Sequence, residues 1–133
     1  MDPLDKYLKS TREPAPRCIG LLSLARAYTA LREFDAAQKA VGEALTLQAE
    51  GRLNAEARVA SGDIQMGRGN FEEATKAYEA VTLIIDDDEV TPRALEKAVE
   101  ANQKAGKEAD AKRLLNTLQS RYPEYVQRKK KQP

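Results

Sequence analysis

A short phrase recurs three times in this chain at a fixed interval. Arg32-Glu33-Phe34-Asp35-Ala36-Ala37, Gly69-Asn70-Phe71-Glu72-Glu73-Ala74 and Gly106-Lys107-Glu108-Ala109-Asp110-Ala111 close on alanines at 37, 74 and 111, so the period is 37 residues. A period of this order is the signature of stacked supersecondary units, each unable to bury its own apolar face alone. Every part of the chain must then be read as a variation on one unit.

Each phrase sits between two stretches of helical periodicity, so the unit reads as helix, tight turn, helix and linker. In the first unit Leu21, Leu24, Ala25 and Tyr28 share one face, and Ala37, Ala40, Val41, Ala44, Leu45 and Leu47 form a stripe after the turn. The second unit carries Leu53, Ala57, Ala60 and Ile64, and its leading helix ends at Gly67 or Gly69. Asn70 with Glu73 three residues on has the pattern of a capping box, followed by Ala74, Ala77, Tyr78 and Val81 on the inner face. The third unit opens with Thr91 as predicted N-cap and Pro92 at the first helical position. Its inner residues are Leu95, Ala98 and Val99, then Ala111, Leu114, Leu115 and Leu118, and Pro123 stops it. The expected fold is all-α, with three antiparallel helix pairs and a terminal segment at each end.

Composition agrees. There are 21 alanines, no tryptophan and two phenylalanines, which favours helices packed closely together, since alanine is the strongest helix former and adds little bulk. Valine, isoleucine and threonine are too scattered for strands. Lys and Arg number 22 against 21 Asp and Glu, without the basic excess that phosphate neutralisation demands, so no nucleic-acid partner is expected. A single cysteine, Cys18, and the absence of histidine leave nothing for an internal disulfide or a zinc cluster, and no cofactor is expected. No apolar run approaches the roughly 20 residues that cross a bilayer. Met1-Asp2-Pro3-Leu4-Asp5 lacks the basic-then-apolar start of a secretory signal, so the default expectation is a cytoplasmic protein that does not enter a membrane.

The three units together resemble the tetratricopeptide repeat (TPR) family. Its signature asks for a large residue, then Leu, Gly or Ala, and Tyr, followed by a second-helix Ala, an aromatic four residues later and a closing Pro. The first unit offers Leu21, Leu24, Ala25, Tyr28, Ala37 and Val41. The second offers Arg58, Ser61, Gly62, Gln65, Ala74 and Tyr78, with Gly69 and Phe71 at the turn, and the third Leu95, Ala98, Val99, Asn102, Ala111, Leu115 and Pro123, with Gly106 at the turn. The family unit is about 34 residues long. The extra residues here are placed in linkers around Ala49–Asn54 and Asp86–Val90, and Arg58 and Gln65 replace the large residue and the tyrosine of the second unit. The chain divides into an N-terminal segment over 1–16, a TPR-like α-solenoid over 17–125 (units about 18–51, 55–88 and 92–125), and a basic disordered tail over 126–133. Leu4, Tyr7 and Leu8 give the first segment an amphipathic pattern suited to a short helix packing on the array.

The resemblance implies that the leading helices line a concave face. Carried over position by position, that face receives Ile19, Leu22, Arg26 and Thr29, then Glu56, Val59, Asp63 and Met66, then Arg93, Glu96, Lys97 and Glu100. The expected partner-binding set is Ile19, Leu22, Arg26, Val59, Asp63, Met66, Arg93 and Lys97. Its apolar members would be exposed in a free monomer, as at contact surfaces, unless residues 1–16 fold over them as core. Some members of the family grip a C-terminal carboxylate. Arg93 and Lys97 match the basic positions of its third helix, whereas Leu22 and Arg26 replace its first Lys–Asn pair and Ala60 its middle Asn, so any such clamp is partial; otherwise the two cations are a solvated face.

The acidic run Asp86-Asp87-Asp88-Glu89 lacks the alternating spacing and glycine of a calcium loop and suits the positive end of the following helix instead. Tyr122 and Tyr125 are expected to seal the last helix, with Arg128, Lys129, Lys130 and Lys131 solvating that end. The function expected is a non-enzymatic scaffold that binds a protein or peptide in the groove. The alternative is a self-associating unit whose groove or end faces form a homo-oligomer. No histidine base, activated nucleophile or glycine-rich phosphate loop supports catalysis.

Overall fold

The computed structural model describes residues 14–48 and 50–132. The expected helix within residues 1–16 lies outside that range, apart from its last three residues, which open the first described helix. Among the described residues seven helices follow one another: α1 (Pro14–Ala30), α2 (Phe34–Leu47), α3 (Gly51–Arg68), α4 (Phe71–Ile84), α5 (Val90–Lys104), α6 (Glu108–Arg121) and α7 (Pro123–Lys130). No strand occurs among the described residues. The trailing helices α2, α4 and α6 have 14 residues each and begin at 34, 71 and 108, the sequence period reproduced as geometry.

The turn that reverses the chain is also repeated. Arg32, Gly69 and Gly106 all have positive φ, at 62°, 82° and 78°. At each, the residue donates to the carbonyl three back and its successor to the carbonyl five back: Gly69 N to Met66 O at 3.1 Å and Asn70 N to Gln65 O at 2.9 Å, and likewise Arg32 N to Thr29 O at 3.0 Å and Glu33 N to Tyr28 O at 2.8 Å. These bonds satisfy carbonyls that the helix end leaves free. A side chain in the left-handed region crowds its own carbonyl, and glycine avoids this. Arg32→Gly is therefore expected to stabilise the chain by roughly 0.5–1 kcal/mol, the relief of strain exceeding the entropy that glycine adds to the unfolded state. Urea denaturation should show a higher midpoint at unchanged slope; a lower midpoint would mean that the contact of the Arg32 guanidinium with the Phe34 ring, 5.2 Å from its centroid, outweighs the strain.

Two apolar cores hold the pairs together. One joins α1, α2 and one face of α3 through Leu21, Leu22, Val41, Ala57, Ala60 and Ile64. The other joins the opposite face of α3 to α4, α5, α6 and α7 through Val59, Tyr78, Val81, Leu95, Leu114 and Tyr125. Alanine at Ala25, Ala37, Ala44, Ala55, Ala57, Ala74, Ala94, Ala98 and Ala101, all without exposure, lets the helices approach closely.

Four local expectations are corrected. Helix α3 begins at Gly51, so Arg52–Asn54 are helical and not linker. Asn70 stands at the N-cap of α4 but bonds no backbone group there; its Nδ2 donates to Gln65 Oε1 at 3.0 Å, so no capping box forms. Helix α5 begins at Val90, which places Thr91 and Pro92 inside its first turn. The Thr91 hydroxyl donates to Ile85 O and accepts from Asp87 N, both at 2.9 Å, tying the linker to the helix. Finally, the tail expected to be disordered from 126 is helical through Lys130, and Pro123 both ends α6 and starts α7. Helix α7 is anchored by Tyr122, which donates to Asp86 Oδ1 at 2.5 Å, and by the buried Tyr125.

Asp87 is what caps α5. Its Oδ1 accepts from the Val90 and Glu89 amides, both at 2.8 Å. The Val90 N–H bond holds the carboxyl below its usual range, helped by the Glu89 amide and nearby Arg52 and Arg93, and only partly opposed by burial. A folded-state pKa below the unfolded one contributes stability above the unfolded pKa of about 3.9, lost as pH falls through the folded value. Asp87→Ala should cost about 1 kcal/mol at neutral pH, and a difference that does not shrink under acid would place the effect elsewhere than in the carboxylate.

Candidate functional site

The leading helices α1, α3 and α5 lie side by side, and a cleft of about 350 Å³ crosses all three, lined by Ile19, Leu22, Arg26, Arg52, Leu53, Glu56 and Arg93. Ile19 is 54% exposed and stands at its edge. Leu22 and Val59, expected to be exposed groove residues, are core: they retain 2% and 4% exposure. Leu22 packs with α2 and α3, and Val59 with Tyr78 and the α5 side of the seam, one helical step away from the open surface. Met66 is half-buried against the second core.

The polar part of the cleft is organised around Glu56. Its Oε2 accepts from Arg26 Nη2 at 3.0 Å and its Oε1 from Arg93 Nη2, so one carboxylate joins the first pair to the third. Arg52 enters from the same turn of α3 and pairs with Asp87 at 3.7 Å. Two guanidinium groups thus share the Glu56 carboxylate, and a third, that of Arg52, lines the same cleft. Arg93 Nε is buried and has no acceptor among the described residues.

A second knot lies further along α3. Asp63 Oδ1 accepts from Lys97 Nζ at 2.8 Å and from the Tyr78 hydroxyl at 2.6 Å. Asp63 and Lys97 are therefore paired with each other across α3 and α5. Burial, followed by the charge of Asp63 and its hydrogen bond, pushes the Tyr78 phenol far above its usual range, so it remains a neutral donor. Of the other carried-over positions, Thr29 donates back to Ala25 O at 2.8 Å, Glu96 meets Tyr125 at 3.5 Å and Lys129 at 3.8 Å, and Glu100 pairs with Lys104 at 3.5 Å.

Sequence reasoning missed the continuation of this face onto α7. Arg52, Glu56, Glu89, Arg93, Tyr125, Arg128 and Lys129 line an adjoining cleft of about 310 Å³, closed on one side by the Arg128–Glu89 pair at 2.6 Å. Opposite charges at Glu56 and Arg93, one period apart, were the available signal: equivalent residues of successive units are neighbours.

No group of three or more His, Cys, Asp or Glu able to hold a metal occurs among the described residues. Burial pushes the Cys18 thiol above its ordinary value, and its Sγ points at Ala44 O at 3.7 Å, so it is no nucleophile. No described helix is long and apolar enough to cross a membrane.

No family model and no curated protein matches the chain. In fold it is similar to the crystal structure of a Podosopora anserina protein described as a kinesin light chain with nearly identical TPR-like repeats, at 19% sequence identity and a TM-score of 0.65. The likeness covers 98% of this chain, which spans 64% of that structure's chain. The fold is a TPR-like helical repeat array.

Proposed function

We propose that the face formed by α1, α3 and α5 holds a polypeptide segment, and that the chain works as a non-catalytic interaction scaffold. The observation that carries this reading is the cleft around Glu56. Apolar surface from Ile19 and Leu53 adjoins the guanidinium groups of Arg26, Arg52 and Arg93 and the single carboxylate of Glu56. The segment that fits is one in which an apolar side chain covers Ile19 while a neighbouring acidic group or backbone carbonyl reaches Arg26 or Arg93. Arginine suits this role because its fork can serve Glu56 and a ligand at once.

The test is a peptide array of acidic–apolar and basic–apolar segments, probed with the wild-type chain and with Ile19→Asp and Arg26→Glu. Both positions are exposed, so the fold is kept, whereas a charge at Leu22 or Val59 would unfold the core. Retention of acidic–apolar peptides by the wild type and their loss in both variants is the expected result. Retention indifferent to both substitutions, or none at all, would overturn the proposal.

A further inference from the structure

The cleft that continues onto α7 is short of negative charge. Arg52 of α3, Arg93 of α5 and Arg128 and Lys129 of α7 line it against two carboxylates, Glu56 and Glu89, so the lining carries two positive charges in excess. Arg93 and Arg128 are hydrogen-bonded to those two carboxylates. Arg52 and Lys129 are held more loosely. The carboxylates they approach, Asp87 and Glu96, stand outside the lining at 3.7 and 3.8 Å. Asp87 is already engaged by the Glu89 and Val90 amides.

A ring holds the two α7 cations in place. Tyr125 is buried, and the Arg128 guanidinium and Lys129 ammonium lie 5.8 and 5.9 Å from its centroid. The attraction of a cation to a ring face uses no N–H donor, so both side chains are positioned while donors remain for another acceptor. The pair of Arg128 with Glu89 is about half exposed at both ends, and exposed pairs of this kind are weak, so Arg128 can take a second and stronger acceptor.

Such a lining fits a dianion. A carboxylate brings one charge and two oxygens, whereas a phosphomonoester brings nearly two charges at neutral pH and three acceptor oxygens, which guanidinium forks grip two at a time. Arg52, Glu56 and Arg93 line both this cleft and the one beside Ile19, so one segment can occupy the two together. Resting on the reading of the α1–α3–α5 face as a polypeptide site, we infer that the segment held there carries a phosphorylated side chain. Its phosphate sits among Arg52, Arg93, Arg128 and Lys129 while an apolar neighbour covers Ile19. A polynucleotide fits less well, because the positive surplus is local and the chain as a whole carries a net charge of only +1. Phosphorylation of the partner thereby strengthens the hold of the scaffold on it.

The test uses each acidic–apolar peptide of the array in three forms, with serine, phosphoserine or glutamate beside the apolar residues. These are probed with the full chain, with the double substitution Arg128→Ala, Lys129→Ala, and with Ile19→Asp. All three positions are exposed, and circular dichroism verifies that the variants fold. Fluorescence anisotropy on the retained peptides gives the dissociation constants. The phosphoserine form should bind about tenfold tighter than the serine form, the gain of one added charge-assisted hydrogen bond, and glutamate should gain less. The double variant should lose that gain and keep the affinity for the serine form. Equal affinity for the serine and phosphoserine forms, a gain that survives the double substitution, or tighter binding of a single-stranded RNA oligonucleotide would each overturn the inference. Phosphopeptides lost in the double variant but retained by Ile19→Asp would uphold the phosphate site and overturn the apolar one; peptides retained regardless of phosphate but lost in Ile19→Asp would do the reverse. No retention of any form would overturn both.

Discussion

Tyr78→Ala is expected to destabilise the chain by about 4 kcal/mol, the upper part of the range for emptying an aromatic site in a core. Tyr78 is 1% exposed and belongs to the core shared by α3–α7. Its ring lies against the backbone of Gly62, and its hydroxyl donates to Asp63 at 2.6 Å. Against a typical stability of about 5–15 kcal/mol, a loss of this size leaves a large part of the chain unfolded near physiological temperature. Tyr78→Phe keeps the ring and removes only the donor; since Lys97 still serves Asp63, its cost should be about 1 kcal/mol. Urea denaturation of both variants checks the pair. A nearly equal loss in the two would mean that the hydroxyl, and not the volume of the ring, pins the seam.

Gly62→Ala is expected to destabilise by about 2 kcal/mol, against the direction that helix propensity dictates. A Cβ added at Gly62 would meet three atoms of the Tyr78 ring at 2.3, 2.6 and 2.8 Å. That ring is buried and tethered to Asp63, so it cannot swing aside cheaply, and overpacking outweighs the roughly 1 kcal/mol that alanine gains over glycine in a helix. Gly42→Ala is the matched control. It lies inside α2 with nothing within 4 Å of the added Cβ, and should stabilise by up to about 1 kcal/mol. Thermal melts of the two variants should move in opposite directions; a shift of the same sign would mean that the approach of α4 to α3 is looser than 2.3 Å implies.

The trailing helices and their turns were legible because their information is local and repeated. Phe34, Phe71 and Glu108 start helices one period apart, and Gly69 and Gly106 mark reversals that only the left-handed region allows. Arg32 hides the same turn, since nothing in its side chain announces a positive φ. Helix starts after the linkers were less legible. Thr91-Pro92 has the pattern of a cap and first position, yet Asp87 reaches Glu89 N and Val90 N first and begins the helix earlier. The tail escaped notice because a run of cations looks solvated, while Tyr122 and Tyr125 hold it down from its other side. In the candidate site, Leu22 and Val59 were misplaced because the open face and the seam lie one helical step apart and both accept apolar residues. Periodicity cannot separate them without the neighbouring helix. The pairing of Asp63 with Lys97 and of Glu56 with Arg26 and Arg93 needs the offsets between helices, which no single helix encodes.

Helix α3 belongs to both cores, with Ala57, Ala60 and Ile64 on one and Ala55 and Val59 on the other. Order in the first pair is thus conditional on a helix that the rest of the chain also claims. The half containing Tyr78, Leu95 and Leu114 has the larger buried side chains, whereas the core of the first pair is lined largely by alanine. Assembly should run from the C-terminal side towards α1, and opening in the reverse direction, so that the α1 end is the first to loosen and the last to close.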